Sequence, residues 1–274
     1  MLKTRIGKIL AVCIFLSAET AWTNHPVLVE GNCLFPPFGV SNASVVPSSG
    51  VCGDYDGDGR IGVAEDEDGD RVFGTITAAL GAAGGMGANQ NGSVIIITSG
   101  NFAETPTITA ANGNVTLEAA PGVFANIEAV FQGDPGNGPR QATAGIIIDA
   151  PSTRQVLIRN IASRNWTDGI RVQGASRVTL SNVRMDGNRD FGIRVQGSAR
   201  VAIDKSEITA SGFRFGGVTT ASPGHGISFE DTSTGSITRT LITGSAGTGI
   251  NKSSSGALTV TDVVLFDNKV DRTP

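Results

Sequence analysis

Aromatic side chains are scarce in this chain of 274 residues: two tryptophans, one tyrosine, and 5% Phe, Trp and Tyr in all. A core without large rings has to be thin and filled by Ile, Val and Leu. Charge is scarce as well, at 17% with a net of −4, and the acidic balance argues against nucleic acid or an anionic membrane as partner. Cysteine is limited to Cys13, Cys33 and Cys52, too few for a densely cross-linked scaffold. The second half of the chain has no stretch long enough to be a helix with an apolar stripe, which excludes a helical bundle there. An apolar run of ten residues, from Ile9 to Ala18, is too short to span a bilayer.

What the chain does have is glycine, 37 residues, set at regular intervals. Gly-Ile recurs at Gly145-Ile146, Gly169-Ile170, Gly192-Ile193, Gly226-Ile227 and Gly249-Ile250, in steps of 24, 23, 34 and 23 residues. The long step is one period plus an insertion of about 11 residues around 213–223, and a fixed period in this range means one structural unit stacked many times. A second set of β-rich pieces keeps the same beat: Val156-Leu157-Ile158, Val178-Thr179-Leu180, Val201-Ala202-Ile203, Ser236-Ile237 and Leu258-Thr259-Val260. Short strands separated by Gly, Ser, Asn and Asp turns predict an all-β fold, a single-stranded right-handed parallel β-helix.

Four segments follow one another. In residues 1–21, Lys3, Arg5 and Lys8 precede the apolar run, and Ala18 and Ala21 offer cleavage positions. That is the layout of an export signal; the alternative is a buried N-terminal strand. Cleavage after Ala21 would remove three bases and one acid, taking the net charge from −4 to −6, and would leave no membrane span. The expected location is therefore secreted, periplasmic or extracellular. Residues 22–53 form an extension holding Cys33 and Cys52, an even pair that export would make a disulfide rather than two free thiols. Closing that loop stabilises by roughly 3 kcal/mol in the chain-entropy model. Residues 54–72 are Asp-rich, and the solenoid runs over 73–274. Thr75 to Leu80 reads as a short helix with Thr75 as N-cap, placed to cover the open end of the core. At the other end, a partner or residues 270–274 would have to cover the last rung.

Ser99-Gly100-Asn101-Phe102-Ala103-Glu104, Ile108 and Asn114-Val115-Thr116-Leu117 follow a helix and a Val/Ile strand. This opening resembles the pectate-lyase-like β-helix superfamily, whose members carry a p-G-x-Y-x-E-x-x-x-I turn and then an n-V-x-L-x-g strand. The resemblance implies the fold. It leaves the activity open among lyases, hydrolases, epimerases, adhesins and binding proteins. Residues 54–65 resemble the calcium loop of EF-hands and dockerin repeats. Asp54, Asp56 and Asp58 supply hard oxygen ligands, Gly59 permits the turn, the Arg60 carbonyl serves the next position, and Glu65 can bind with both oxygens. The implied cofactor is Ca²⁺; the alternative is an unliganded acidic turn. Asp66, Asp68 and Asp70 repeat the acids, with Arg71 where a glycine is expected.

Registering the repeats on Gly-Ile turns Ile146/Ile148, Ile170/Val172, Ile193/Val195 and Ile227/Phe229 inward. The alternate residues form outer columns: Ile147, Arg171, Arg194, Ser228 and Asn251, then Asp149, Gln173, Gln196, Glu230 and Ser253. The preceding turn adds Asp168, Asp190 and His225. A stripe of Arg, Gln, Asp and Glu suits an acidic polysaccharide or cell-surface glycan, since Arg clamps carboxylates and amides bond sugar hydroxyls. The alternative is a solvated face whose Arg residues pair with the nearby acids. Polygalacturonases carry N-T-D-G, D-D, G-H-G and R-I-K motifs on successive coils. Asn165-Trp166-Thr167-Asp168-Gly169, then Asp186 and Asp190, Gly224-His225-Gly226 and Gly249-Ile250-Asn251-Lys252 match that order, though Trp166 interrupts the first motif and Asn251 replaces the Arg. Asp168, Asp190, Arg171, Arg194 and His225 are thus the catalytic candidates, for a glycoside hydrolase or for a lyase with groove-bound calcium. Asp149, Gln173, Gln196 and Glu230 are the substrate-binding ones. The rival expectation is a non-catalytic surface, adhesion or structural β-helix.

Overall fold

The structure, a computed structural model, describes residues 27–29, 72–84, 91–96, 99–112, 114–129, 144–212 and 223–273. They build three parallel sheets wound as a right-handed β-helix. Sheet A has nine strands and includes Asn91–Ile96, Asn114–Ala119, Gln155–Arg159, Arg177–Ser181, Arg200–Asp204, Thr234–Thr238 and Leu258–Thr261. Sheet B runs from Gly100–Phe102 to Val264–Phe266, and sheet C from Thr107–Thr109 to Val270–Arg272, with seven strands each. Every Gly-Ile lies in sheet C and every piece of the second beat lies in sheet A.

Sheet B was not singled out by the sequence. Its strands are three or four residues long, and some give the core a single mid-strand side chain, such as Met185, Ile208 or Ile242. Val27–Val29, from the N-terminal extension, also joins sheet A, between Val72–Phe73 and Asn91–Ile96.

The chain turns three corners per rung, and most corners use one residue with positive φ. Asn160, Asn182, Lys205, Arg239 and Asp262 turn it from sheet A to B. Asn165, Gly187, Ala210, Gly244 and Asp267 turn it from B to C, and Gly174, Gly197 and Asp231 from C back to A. Gly, Asn and Asp adopt this conformation at least cost, which explains the turn composition. Asn160 and Asn182 also stack, the Asn182 amide donating to Asn160 Oδ1 at 2.9 Å.

The core is a set of aliphatic columns. Ile146, Ile170, Ile193, Ile227 and Ile250 form one, all fully buried. Volume is conserved between columns. Phe229 takes the position held by Val195 on the rung before, while Gly235 takes that of Val201. A Cβ on Gly235 would sit 2.6 Å from Phe229 Cε1, so the larger ring is accommodated by the missing side chain.

The capping helix runs over Ile76–Gly84, four residues beyond the expected end, and buries Ile76, Ala79, Leu80 and Ala83 on the solenoid. Thr75 caps it, its Oγ1 accepting from Ala78 N at 3.1 Å. Glu104, from the turn that carries the superfamily resemblance, accepts from Ile76 N and Thr77 N, each at 2.8 Å. A carboxylate on two free N–H groups at a helix start is favourable in both hydrogen bonding and dipole terms. At the far end, residues 270–272, within one of the two expected covers, do not serve as one. Val270–Arg272 does not fold over the last rung but adds a strand to sheet C, leaving Val264, Phe266 and Val270 exposed. Among the described residues no helix is long and apolar enough to cross a membrane.

Candidate functional site

The Gly-Ile dipeptide shapes the outer face of sheet C. A Cβ on Gly169 would meet Met185 Sδ at 2.7 Å and Gly192 O at 2.5 Å, so this position faces the interior, as does Ile170 after it. Two successive inward residues break the alternation. The residue before Gly and the residue two after it therefore both face outward, three apart. The first of these rows reads Ala144, Asp168, Phe191, His225, Thr248, and the second Ile147, Arg171, Arg194, Ser228, Asn251.

Each outward pair makes its own contact. Arg171 Nε donates to Asp168 Oδ2 at 2.7 Å. Arg194 lies over the Phe191 ring at 4.6 Å, a cation–π contact, and Phe191 packs against His225 with ring centroids 5.7 Å apart. His225 Nδ1 accepts from Thr248 N at 3.0 Å, which leaves the proton on Nε2. Burial, opposed by Glu230, holds this imidazole below its ordinary range.

Glu230 is the hub of the face. It receives Arg194 at both oxygens, with Nε at 3.2 Å and the second nitrogen at 2.9 Å, and also the Gln196 amide at 3.2 Å and Ser228 Oγ at 3.1 Å. This seals Ser228, which the register alone leaves outward and open. One column along, Gln173 donates to Asp149 at 3.0 Å. Among the described residues no hydrogen bond occupies either Nη of Arg171, whose side chain is 22% exposed. Asp168 thus fixes that guanidinium by one nitrogen and leaves the two-pronged edge open.

Asp168, Arg171, Arg194, Gln196, His225 and Glu230 come together on one surface as the register expects. Asp190 does not share their row. The strand partner of Asp168 is Phe191, so Asp190 stands one position back in the turn and pairs with Arg189 at 2.9 Å. Asp186 belongs to sheet B, where Thr209 donates to it at 2.8 Å. Trp166 breaks the N-T-D-G pattern because it is a core residue, 2% exposed, its indole N–H donating to Ile127 O at 2.9 Å. Arg171 and Arg194 pair with acids, Asp168 and Glu230, as the solvated-face expectation has it. Among the described residues no group of three acids, cysteines or histidines is placed to hold a metal ion. Residues 54–65 and the Cys33–Cys52 pair lie outside the described residues, as does most of the insertion at 213–222.

Phe191 was missed by sequence reasoning, although reading the residue before each Gly-Ile finds it. So was a second long connection. The corner from sheet B to C takes three residues between Arg164 and Asp168, but it is long between Glu128 and Ala144 and again between Thr209 and His225. Both long connections end at the outer row, at Ala144 and His225, on rungs on either side of Asp168 and Phe191.

Asp168 has no exposed surface, and its Oδ1 has no partner among the described residues. Burial raises its carboxyl above the ordinary range, against the pull of Arg171 and Arg194 and with Asp190 adding to the rise. The folded chain therefore keeps this proton at a pH where the unfolded chain has lost it. The contribution to stability is fully present below the unfolded value of 3.8 and is lost as pH rises through the higher folded value. Urea midpoints for wild type and Asp168→Asn, between about pH 3 and 7, should show the difference falling with rising pH across that window and level above it. A flat or rising difference would contradict the burial of this carboxyl.

The molecule is a right-handed parallel β-helix by its sheets, register and corners. Residues 143–271 match a family described as right handed beta helix region. No curated protein and no solved structure matches the chain. The matched stretch begins with the first Gly-Ile strand and ends within the last strand of sheet C.

Proposed function

We propose that this is an exported β-helix protein that recognises an extracellular acidic polysaccharide along the outer face of sheet C, in the manner of a binding member of the pectate-lyase-like superfamily. The observation that carries this reading is the free Nη edge of Arg171, braced by Asp168, beside Arg194 held between Phe191 and Glu230. Two guanidinium groups on neighbouring rungs, about 4.8 Å apart, are already ordered. A carboxylate ligand that docks on them has less side-chain freedom to freeze. Gln173, Gln196 and Asp149 supply partners for hydroxyls.

Recognition fits better than cleavage. A general acid must reach the oxygen it protonates, and Asp168 is sealed beneath Arg171 while Asp190 is turned to Arg189. In an Arg171→Ala/Arg194→Ala variant, affinity for an oligogalacturonate should fall by about 1.5–3 kcal/mol, the scale of charge-assisted bonds. Because Arg171 also covers Asp168, the melting curve is recorded alongside. Arg171→Lys, which keeps the charge but cannot present a fork, carries the test if the double variant fails to fold. Unchanged affinity in both would sink the reading, and no binding by wild type would favour a purely structural solenoid.

The export signal at 1–21, the Cys33–Cys52 disulfide and a calcium ion held by Asp54, Asp56, Asp58, Arg60 and Glu65 belong to the same proposal. A ligand at a hundredfold excess over its Kd stabilises by about 2.7 kcal/mol. Chelator should accordingly lower the melting temperature of wild type, and Asp56→Ala should remove that response.

A further inference from the structure

The outer face of sheet A, on the other side of the molecule's register, holds a groove of about 800 Å³. Among the described residues its lining includes Gln155, Arg177, Thr179, Arg200, Thr234 and Ser236, and no Asp or Glu. That is unusual in a chain with 25 acids against 21 bases. Arg177 and Arg200 are Cα partners on neighbouring strands, so their side chains leave the same face one rung apart. Both are exposed.

These two guanidinium groups differ from the rest of the sheet. At the other edge of the same sheet face, Arg159 pairs with Glu118, and Arg239 pairs with Asp204. On sheet C, Arg171 and Arg194 also sit on adjacent rungs, and each has its acid. Among the described residues neither an ion pair nor a side-chain hydrogen bond engages Arg177 or Arg200. Like charges directly opposite each other on a sheet destabilise it. A stacked cation pair with no carboxylate in its groove therefore has an unmet demand for two negative charges about 4.8 Å apart. The next outward column is of small side chains, Thr179, Ala202 and Ser236, leaving room for a chain lying along the stack.

We infer that this groove is a second binding site, independent of the sheet C reading, for a polyanionic glycan whose sulfate or carboxylate groups are spaced to meet Arg177 and Arg200 together. A single anion satisfies one guanidinium. A chain with an anionic group at each step satisfies both and removes their repulsion. Gln155 and Thr234, in the same column on either side, then bond hydroxyl groups of the flanking sugars.

The experiment titrates full-length protein with a heparin-derived hexasaccharide, an oligogalacturonate, sodium sulfate and a single-stranded DNA oligomer, at two ionic strengths. Wild type should bind at least one of the two oligosaccharides, more weakly at higher salt. Arg177→Ala/Arg200→Ala should weaken that binding tenfold or more and leave the melting temperature unchanged or slightly higher. Equal binding by wild type and this variant overturns the assignment; if binding is then lost in Arg171→Lys, the polyanion lies on sheet C. Sulfate binding as strongly as the hexasaccharide would make it a small-anion site, and DNA binding as strongly would remove the glycan. A fall of several degrees in the melting temperature of Arg177→Ala/Arg200→Ala would mean that the chain already supplies the counter-charge, and would also overturn the proposal.

Discussion

Replacing Trp166 by alanine should destabilise the protein by about 3–5 kcal/mol, the range for truncating a large buried aromatic. Trp166 heads the largest fully buried side chains and fills the corner between sheets B and C, next to the position where Gly145 leaves room for it. Truncation opens a cavity and leaves the Ile127 carbonyl without the indole N–H that it accepts. At about 2–4 °C per kcal/mol for a domain of this size, the melting temperature should fall by roughly 6–20 °C. Trp166→Phe should fall in between, since it restores much of the volume but not the donor. Thermal melts followed by circular dichroism decide it. A melting point within about 2 °C of wild type would show that the corner collapses freely or that the ring is not packed there.

The second large effect concerns one added methyl group. A Cβ on Gly192 would lie 2.5 Å from Ile208 Cγ2 and 2.6 Å from Gly226 O. The first neighbour can shift, but the second is backbone of the next rung, held in a continuous ladder. Gly192→Ala should therefore cost about 3 kcal/mol, the upper part of the overpacking range. The same environment repeats one rung on, where Gly226 faces Ile242 Cγ2 and Gly249 O, so Gly226→Ala should behave alike. Gly81→Ala is the control. It lies in the capping helix with nothing within 4 Å of an added Cβ, and alanine there should gain up to about 1 kcal/mol from helix propensity. Chemical denaturation of the three variants separates the steric effect from any general effect of losing glycine.

These sites show why part of the fold was legible in the sequence and part was not. Gly-Ile stood out because its glycine answers a steric demand that each following rung repeats, and a repeated demand leaves a period. Sheet A was legible from its two inward aliphatics per strand, such as Val178 and Leu180. Sheet B was not, because a three-residue strand with Met185 alone at its centre has no alternation to detect. In the site, the columns of Arg171 and Gln173 followed from the period. The pairing of Arg194 with Glu230, 36 residues apart across an insertion, did not. Nor did the depth of Asp168, since its burial comes from the guanidinium laid over it. Trp166 read as a flaw in a catalytic motif, although its own demand is for space in the core.

The last rung carries a further message about assembly. Val270 continues the row of Asp168 and Phe191, which puts Asp271 in the place of the recurring glycine. Gly249 needs its hydrogen side chain because Asp271 O lies 2.8 Å from where a Cβ would stand. Asp271 itself faces no such carbonyl. A strand laid on this edge of sheet C in the register of the rungs below would meet a carboxylate-bearing Cβ where the five Gly-Ile rungs offer none. A side chain at this position thus disfavours a further Gly-Ile rung stacked in the same register.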